Sequence, residues 1–533
     1  MSEQELKLHV PREARAGVEK AVRRGVATSV RLRAQYFDTP DADLAKAGVA
    51  LRLRLEGRRW VQTLKMPGGH QLEKIELNTA RPGPSLDLSV FSDSPAKRII
   101  AKHGDKLAMV YETDVQRLFR RIRTPAGLVE VALDRGHIQA GALNLPVSEV
   151  EFELVSGQPH AMFLLGLKWL STYGLVLDLR SKAERGTTLA ALANRLANLG
   201  QLEDAATVAT RAKAVASYWA PRGASAIKLR RDMTCPQALS AVTMECLHQI
   251  ARNAAVLAEI DTAGHYRAGN PEHTHQLRVG IRRLRSAWSL FQKLAPLPPE
   301  PWREELKAHF AALGDARDDD VLRETVMPEL SAAGQPPLEL AGQGEQAPSM
   351  SITKSVAFQR WLVELLAWTI GAHPLQADTE ATEALTDSSN KTSTKTSTKT
   401  SNKTPDLHAA LSKQLYKWHQ RVLTDGLKFV DLPLEAKHEV RKRGKRLRYG
   451  LQFAESLLPA KKLKNYRRSL AQVQDILGEM NDLYVAREKF EGMRDDQPPA
   501  WFAVGWIASR LSVLDKDAQA AFKRLAQADH FWG

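Results

Sequence analysis

Charged side chains alternate with apolar ones in the first strand-like segment, and this pattern constrains the fold more than any other feature. Glu3, Glu5 and Lys7 occupy every second position, with Leu6 and Leu8 between and after them. Because alternate residues of a β-strand share a face, the three charges would line one side of the strand. The same period returns further along the chain, at Arg52 and Arg54, Lys74 and Glu76, Glu130, and Glu149, Glu151 and Glu153. Charges of both signs on several strands predict a closed sheet around a charged lumen.

A solvated sheet face would explain any one of these strands alone. It explains the set poorly, because the intervening positions are apolar and both faces cannot be exposed while the sheet still forms a core. A closed sheet pairs its strand edges and can surround a compact, highly charged ligand. Alternating carboxylates suit Mg²⁺ or Mn²⁺, and facing lysines and arginines suit phosphate oxygens. Together they predict metal-assisted attack of water on a phosphorus atom.

The bulk composition agrees with an anionic partner. The 533 residues predict two or three domains, and the net charge of +15 indicates nucleic acid, a membrane surface or polyphosphate as a partner. No apolar run reaches about 18 residues, and no signal peptide is evident. Cys235 and Cys246 are eleven residues apart, which fits neither a zinc site nor a disulfide framework. We therefore expect a cytoplasmic location and no membrane partner.

A change in composition divides the chain. Residues 1–200 contain period-two segments separated by Gly and Pro, including an expected hairpin turn at Arg135-Gly136. Residues 201–232 are predicted to form a helical linker, and 233–533 carry almost only helical periodicity. A Lys/Thr-rich stretch at about 380–405 is predicted to be a flexible insert. The predicted fold class is α+β, with an antiparallel β domain followed by an all-α domain.

The helical part contains an internal duplication. One basic motif has a histidine followed by cations at offsets 3, 7 and 10, which share one helix face, and it occurs twice. Its copies are His275, Arg278, Arg282 and Arg285, and His438, Arg441, Lys445 and Arg448. Related stretches follow each copy, namely Leu313-Gly314-Asp315-Ala316-Arg317-Asp318 and Leu477-Gly478-Glu479-Met480-Asn481-Asp482. The repetition predicts two pseudo-symmetric helical bundles.

The first domain resembles the CYTH superfamily, the triphosphate tunnel metalloenzymes, over about residues 1–190. The matching stretches occur in order along the chain: Glu3-x-Glu5-x-Lys7, Tyr36-Phe37-Asp38-Thr39, Leu51-Arg52-Leu53-Arg54, Thr63-x-Lys65, Glu112-Thr113 before Arg117, Glu130 with Asp134, Glu149-x-Glu151-x-Glu153, and Ser181-Lys182. The resemblance implies an eight-stranded antiparallel β tunnel that hydrolyses or cyclises triphosphates with a divalent metal. Asp38 could alternatively only cap a turn.

The resemblance also implies residue roles. The implied metal ligands are Glu3, Glu5, Glu149, Glu151 and Glu153, with Glu130 in support. The implied phosphate-binding residues are Lys7, Arg52, Arg54, Lys65, Lys74, Arg117 and Lys182. Glu5, Lys65 and Glu151 are the expected catalytic residues, with Mg²⁺ or Mn²⁺ as cofactor. The chain departs from the family pattern where Arg-x-Glu-x-Glu is often found, since it has Lys74, Glu76 and Asn78 there.

The helical part resembles the CHAD domain over about 233–530. The strings that carry the resemblance are His275 to Arg285, Leu313-Gly314 to Val321, His438 to Tyr449, and Gln474-Asp475-x-Leu477-Gly478. That family implies two four-helix bundles around a basic groove that binds inorganic polyphosphate. Both copies of the basic motif are the implied binding residues, with Asp318 and Asp482 ordering the basic side chains.

These observations predict an inorganic triphosphatase joined to a polyphosphate-binding module, located in the cytoplasm or at polyphosphate granules. One alternative is a non-catalytic protein that binds polyphosphate or associates with its granules, and another is a tunnel enzyme that acts on a nucleoside or thiamine triphosphate. Nucleic-acid binding is disfavoured, because few aromatic residues interleave with the basic ones. Phosphate release from several substrates with each metal distinguishes these readings.

Overall fold

The structure is a computed structural model. It describes residues 2–70, 72–91, 94–199, 205–260, 271–313, 322–340, 347–372 and 406–528. The expected insert at about 380–405 and the stretch from Gly314 to Val321 lie outside the described residues.

The N-terminal part forms a closed antiparallel barrel. Eight strands are hydrogen-bonded in the order β5-β4-β3-β2-β6-β7-β8-β1, and pairing of β5 with β1 closes the ring. A short ninth strand pairs with the C-terminal end of β1. The strands are β1 (Ser2–His9), β2 (Thr28–Asp38), β3 (Ala50–Glu56), β4 (Arg59–Pro67), β5 (Glu73–Arg81), β6 (Ala108–Thr124), β7 (Gly127–Ala140), β8 (Leu143–Gly157) and β9 (Val176–Leu177). The predicted antiparallel β tunnel is thus confirmed.

One expected turn is wrong. Arg135 and Gly136 lie inside β7, where Gly136 is opposite Val115 on β6 and Val147 on β8. A Cβ atom at Gly136 would lie 2.0 Å from the carbonyl oxygen of Asp114, so a residue without a side chain is needed there. The glycine marks a close approach of two strands, not a chain reversal. The reversal after β7 occurs at Gly141, which has a φ of +54°.

The barrel has apolar side chains on its outer face and charged side chains in its lumen, as the alternation predicts. Leu6 and Leu8 are fully buried on the outer face of β1, where α4 packs. Gly166 of that helix allows it to approach the side chain of Leu6 closely. The charged positions of the same strand point inward and line a cavity. Apolar burial on the outside therefore positions the charged residues of the lumen.

The remaining elements are helical. In the barrel region they are α1 (Arg15–Val22), α2 (Asp43–Lys46), α3 (Lys97–His103), α4 (His160–Tyr173), α5 (Lys182–Asn198) and α6 (Ala205–Tyr218). Further along they are α7 (Cys235–Leu257), α8 (Pro271–Phe291), α9 (Glu300–Ala312), α10 (Met327–Ala332), α11 (Ala347–Lys354), α12 (Val356–Thr369), α13 (Leu407–Gly426), α14 (Leu434–Phe453), α15 (Ala460–Met493) and α16 (Ala500–Ala526). Within the predicted linker, helix α6 ends at Tyr218 and residues 219–230 have no regular structure.

The chain forms two compact units. The first comprises residues 1–222, 251–273 and 350–393, and the second comprises 223–250, 274–349 and 394–533. In the first unit, the end of α7 packs on β9, since Ala255, Ala258 and Ile260 form a buried cluster with Val176. The second unit is helical, and both copies of the basic motif lie in it, on α8 and α14. No described helix is long and apolar enough to cross a membrane.

Candidate active site

The lumen of the barrel contains a cavity of about 730 Å³. Of the residues predicted to bind metal or substrate in the first domain, all but Glu149 line this cavity. Strand pairing explains why residues far apart in sequence meet here, because every charged strand turns its charged face inward. Three groups of charges follow from the register of the strands: an acidic row, a buried acidic triad and a cationic wall.

The acidic row consists of Glu5, Glu153 and Glu130, which are register neighbours on β1, β8 and β7. Glu3 lies on the same face of β1, two residues from Glu5. Burial raises the pKa of Glu153 to about 7, and repulsion from Glu3, Glu130 and Glu5 adds to the effect. Burial also raises the pKa of Glu3, against the opposing attraction of Lys65. Arg121 contacts Glu130 at 3.2 Å, so the excess of negative charge in the row is centred on Glu153.

The acidic triad consists of Asp134, Glu149 and Glu151, whose carboxylate oxygens lie within 4.8 Å of one another. Such a group could hold a metal ion, but Lys182 already contacts all three. Its Nζ lies 2.6 Å from Asp134, 2.6 Å from Glu149 and 2.8 Å from Glu151. Lys182 is the first residue of α5, and Ser181 before it caps the helix by accepting a hydrogen bond from the backbone N–H of Glu184.

Two arginines also neutralise the negative charge of the acidic triad. Arg117 on β6 donates a bidentate pair of hydrogen bonds to Asp134, at 2.7 and 2.6 Å, and also contacts Glu151. Arg185, one helical turn after Lys182, contacts Glu149 at 3.0 Å. Burial opposes ionisation of Glu151, but Lys182 and Arg117 outweigh it and hold its pKa well below the usual range. The negative charge of Glu151 is therefore balanced by protein cations, and cations also contact Asp134 and Glu149.

The cationic wall lies on β3, β4 and β5. Lys65 contacts Glu76 at 2.9 Å and Glu3 at 3.3 Å, so it connects this wall to the acidic row. Burial lowers the pKa of Lys65, but Glu5 and Glu76 outweigh it and raise the pKa above its ordinary value. Arg52 lies 3.5 Å from Glu76. Arg54 contacts Glu56, and burial together with the nearby Arg52 lowers the pKa of Arg54.

The departure from the family pattern on β5 has a structural counterpart. Asn78 accepts a hydrogen bond from Thr63 at 2.7 Å and donates one to Glu76 at 3.2 Å. The amide therefore orients Glu76, whose own pKa falls to about 2 because Arg52 and Lys65 outweigh its burial. Burial and repulsion from Lys65 lower the pKa of Lys74.

Two other predicted residues have structural partners. Asp38 accepts hydrogen bonds from the backbone N–H groups of Leu44 and Ala45, so it caps the short helix α2, in agreement with the alternative reading. Lys7 donates a hydrogen bond to the carbonyl oxygen of Arg180.

The sequence did not predict a metal- or phosphate-binding role for Asp134 or Glu76, although both residues fit the period-two pattern of the strands. Arg185 had no sequence signal of its own, because it lies on a helix and its partner Glu149 is 36 residues away on β8.

The predicted polyphosphate-binding residues are half-buried on α8 and α14. Arg278, Arg282 and Arg285 lie 5.3, 5.9 and 5.7 Å from the centre of the Phe310 ring on α9. Within the described part of the chain, Arg282, Lys445 and Arg448 make no ion pair with an acid. Burial and repulsion from Arg441, Arg282 and Arg448 lower the pKa of Lys445 to about 7, against the opposing attraction of Asp482.

The histidines of the two motifs are also half-buried. Burial and the neighbouring Arg441 lower the pKa of His438, whose ring lies 5.7 Å from that of Tyr484. The equivalent histidine of the first copy, His275, occupies the corresponding place on α8. Asp318, expected to order the basic groups of the first copy, lies outside the described residues.

Fold and site together define a β-tunnel protein with a charged lumen, followed by a helical domain. Residues 1–187 match the model of the CYTH domain, and residues 241–491 match the model of the CHAD domain. The chain therefore carries a CYTH domain in its N-terminal part and a CHAD domain in its C-terminal part, as the sequence motifs predict.

Comparison with individual proteins gives three similar chains. A Haemophilus influenzae protein named inorganic triphosphatase is 32% identical over 168 residues, which are 29% of this chain and 44% of that protein. The crystal structure of the CHAD domain from Ricinus communis is 25% identical, covers 58% of this chain and 98% of its own, and has a TM-score of 0.40. A putative adenylyl cyclase from Hippeastrum is 19% identical, covers 35% of this chain and 96% of its own, and has a TM-score of 0.27.

Proposed function

We propose that this protein hydrolyses inorganic triphosphate to diphosphate and phosphate in the β tunnel, with the help of a divalent metal ion. The observation that carries the proposal is the acidic row of Glu5, Glu153 and Glu130 beside a wall of lysines and arginines in one cavity. A chain of phosphates is a ligand that such a wall attracts, and a divalent cation would balance the neighbouring carboxylates of the row. The name of the Haemophilus influenzae relative supports the same substrate.

The metal would be held by Glu3, Glu5 and Glu153, with Glu130 at the end of the row. Carboxylate oxygens are the donors that Mg²⁺ and Mn²⁺ prefer. The fit is supported by Glu153, because burial and repulsion from neighbouring acids raise its pKa to about 7, and a bound cation would relieve that repulsion. When bound, the ion would supply charge neutralisation at phosphate oxygens and a positioned water. Glu149 and Glu151, also predicted as ligands, would hold Lys182 in place instead, although their triad has oxygens close enough for a second cation.

The chain's own cations would grip the substrate. Lys65, Arg52, Arg54 and Lys74 face the cavity together, so a bound triphosphate would be held along its length. Lys65 keeps its proton because its pKa is raised, which suits it to stabilise negative charge on the leaving diphosphate. Arg117 and Lys182 also face the cavity, but their charge is shared with the acidic triad. They would contribute less to substrate binding than the cationic wall does.

The helical domain would bind inorganic polyphosphate through the basic faces of α8 and α14. Arg282 and Lys445 act on each other electrostatically although they lie on different helices, and this concentrates positive charge between the two faces. A half-buried group of like charges costs free energy that a polyanion relieves. Binding of this kind would hold the enzyme on polymeric phosphate, including polyphosphate granules in the cytoplasm.

A substrate panel tests the proposal. Phosphate release is measured with triphosphate, longer polyphosphate, ATP and thiamine triphosphate, each with Mg²⁺ and with Mn²⁺. We expect triphosphate to be the best substrate and Glu5→Gln to abolish turnover while polyphosphate binding is unchanged. Glu112→Gln is the matched control, since Glu112 lies on β6 between two lumen positions and contacts Gln35 instead. If ATP or thiamine triphosphate is preferred, that compound is the substrate instead. If no compound releases phosphate, the chain is better described as a binding protein.

A further inference from the structure

An ion pair joins helix α7 to helix α5, whose first turn lines the tunnel. Arg252 of α7 contacts the carboxylate of Glu184 in the first turn of α5. Arg252 lies within the residues matched by the CHAD model, yet residues 251–273 belong to the same compact unit as the barrel. Packing of Ala255 and Ala258 on Val176 of β9 holds this end of α7 in place. Buried apolar contacts therefore anchor the end of α7 that carries Arg252.

Glu184 also belongs to the tunnel. It lines the cavity, as does Lys74 of the cationic wall, and its negative charge acts on Lys74. Among the described residues, Lys65, Glu5 and Lys7 also act on Lys74. Glu184 is thus an acidic group beside a predicted phosphate-binding lysine, and its ion-pair partner among the described residues is Arg252.

We infer that Arg252 is a positioning residue for substrate binding, which acts through Glu184 to keep Lys74 available for phosphate. The inference rests on the proposed function, because it concerns the same tunnel. With Arg252 present, the Glu184 carboxylate is held and partly neutralised at the edge of the cavity. Without Arg252, Glu184 could turn to Lys74, and the cavity would offer a polyanion one more negative charge and one less available ammonium.

The pair is better placed to tune charge than to stabilise the fold. Its side chains are 26% exposed for Arg252 and 43% exposed for Glu184, and ion pairs in such surroundings contribute little to folding. The charge of Glu184 still reaches the cavity, because a triphosphate carries several negative charges and each senses an added carboxylate. Loss of Arg252 should therefore affect KM more than kcat or stability.

The test measures KM, kcat and the Kd for triphosphate in the full chain. We expect Arg252→Ala to raise KM and Kd about 3- to 10-fold, with kcat changed less than about twofold, and the difference should shrink at high salt. Arg252→Ala combined with Glu184→Gln should return both constants to the wild-type values, because the uncompensated carboxylate is gone. Arg195→Ala is the matched control, since Arg195 is an exposed arginine of α5 that does not line the cavity.

Each outcome separates the inference from the proposed function. An unchanged Kd in Arg252→Ala, or a double variant as weak as the single one, would overturn the role of Arg252. If the wild type binds triphosphate without releasing phosphate, the proposed activity fails while the Kd comparison still decides the inference. If the wild type binds no triphosphate, both are wrong.

Discussion

Glu5 on β1 and Glu153 on β8 are register partners, so two carboxylates lie side by side on the inner face of the barrel. Glu130 on β7 is the register partner of Glu153 on its other side. Three adjacent strands thus bring three acids together. Arg121 contacts Glu130 at 3.2 Å, whereas Lys65 contacts Glu3 and Glu76. The repelling acids around Glu153 thus differ from the triad around Lys182, whose charges are balanced, and the two groups should respond in opposite ways to mutation.

Glu153→Gln should stabilise the metal-free protein while it abolishes turnover. The substitution keeps the shape of the side chain and removes a buried charge that its neighbours repel. We expect a gain of about 1 kcal/mol in the free energy of unfolding near pH 8, well below the full value of the pKa shift because the site is partly hydrated. Urea unfolding in a chelator measures it. Glu112→Gln is the control, and a loss of stability in Glu153→Gln would contradict the prediction.

The stability difference should depend on pH in a defined direction. The pKa of Glu153 is raised from 4.5 to about 7 in the folded protein, so the folded state holds this proton more tightly than the unfolded state. The resulting stabilisation is present below about pH 4.5 and is lost as the pH rises through about 7. The wild type should therefore lose stability relative to Glu153→Gln between about pH 5 and pH 8. A difference that is constant over this range would exclude the raised pKa.

Lys182→Met should destabilise the barrel strongly. The ammonium contacts Asp134, Glu149 and Glu151, whose remaining ion-pair partners among the described residues would be Arg117 and Arg185. Removing one partner from a buried ionic group typically costs about 3 kcal/mol or more. Urea unfolding measures the loss, and Lys168→Met, at an exposed position of α4, is the control.

The same variant tests whether the triad can hold a cation. Its oxygens lie within 4.8 Å of one another, so Mn²⁺ should recover part of the lost stability in Lys182→Met. Calorimetry should then find one more Mn²⁺ site than in the wild type. If both proteins bind the same number of Mn²⁺ ions and the ion restores no stability, the triad binds only the Lys182 ammonium.

Arg282→Gln should weaken polyphosphate binding about tenfold at 0.15 M salt and lower its salt dependence. Arg282 is half-buried beside Lys445 and makes no ion pair in the described part of the chain. Lys442→Gln is the control, because Lys442 is exposed on α14 and contacts Glu439 at 2.8 Å. Binding isotherms at several salt concentrations measure both effects. Equal losses in the two variants would mean that net charge alone, not the basic face, binds the polymer.

Polyphosphate affinity should rise as the pH falls through the range where Lys445 titrates. Burial and the cations Arg441, Arg282 and Arg448 lower the pKa of Lys445 to about 7, with Asp482 opposing them. A polyanion favours the charged form, so binding takes up a proton near neutral pH and weakens as the pH rises above about 7. The Kd at about pH 6.5 and pH 8.5 tests this. Lys445→Arg should flatten the dependence, because an arginine stays charged throughout.

The barrel and its charged lumen were predictable because alternation is a local property. Glu3, Glu5 and Lys7 on β1 turn inward whenever Leu6 and Leu8 turn outward, whatever the neighbouring strands are. The errors arose where local signals are ambiguous. Gly136 resembles a turn residue in sequence, but its lack of a side chain serves close strand packing.

The sequence by itself determined the presence of a CYTH and a CHAD domain, the period of the strands and most of the residues that face the tunnel. The tertiary structure alone decided which charges compensate each other. Lys182 balances Asp134, Glu149 and Glu151 because the start of α5 lies beside β7 and β8. Strand register instead places Glu5 directly beside Glu153, and burial together with repulsion among these acids raises the pKa of Glu153. The physical reason is that side-chain direction follows from adjacent residues, but electrostatic balance depends on distances between chain segments that only folding brings together.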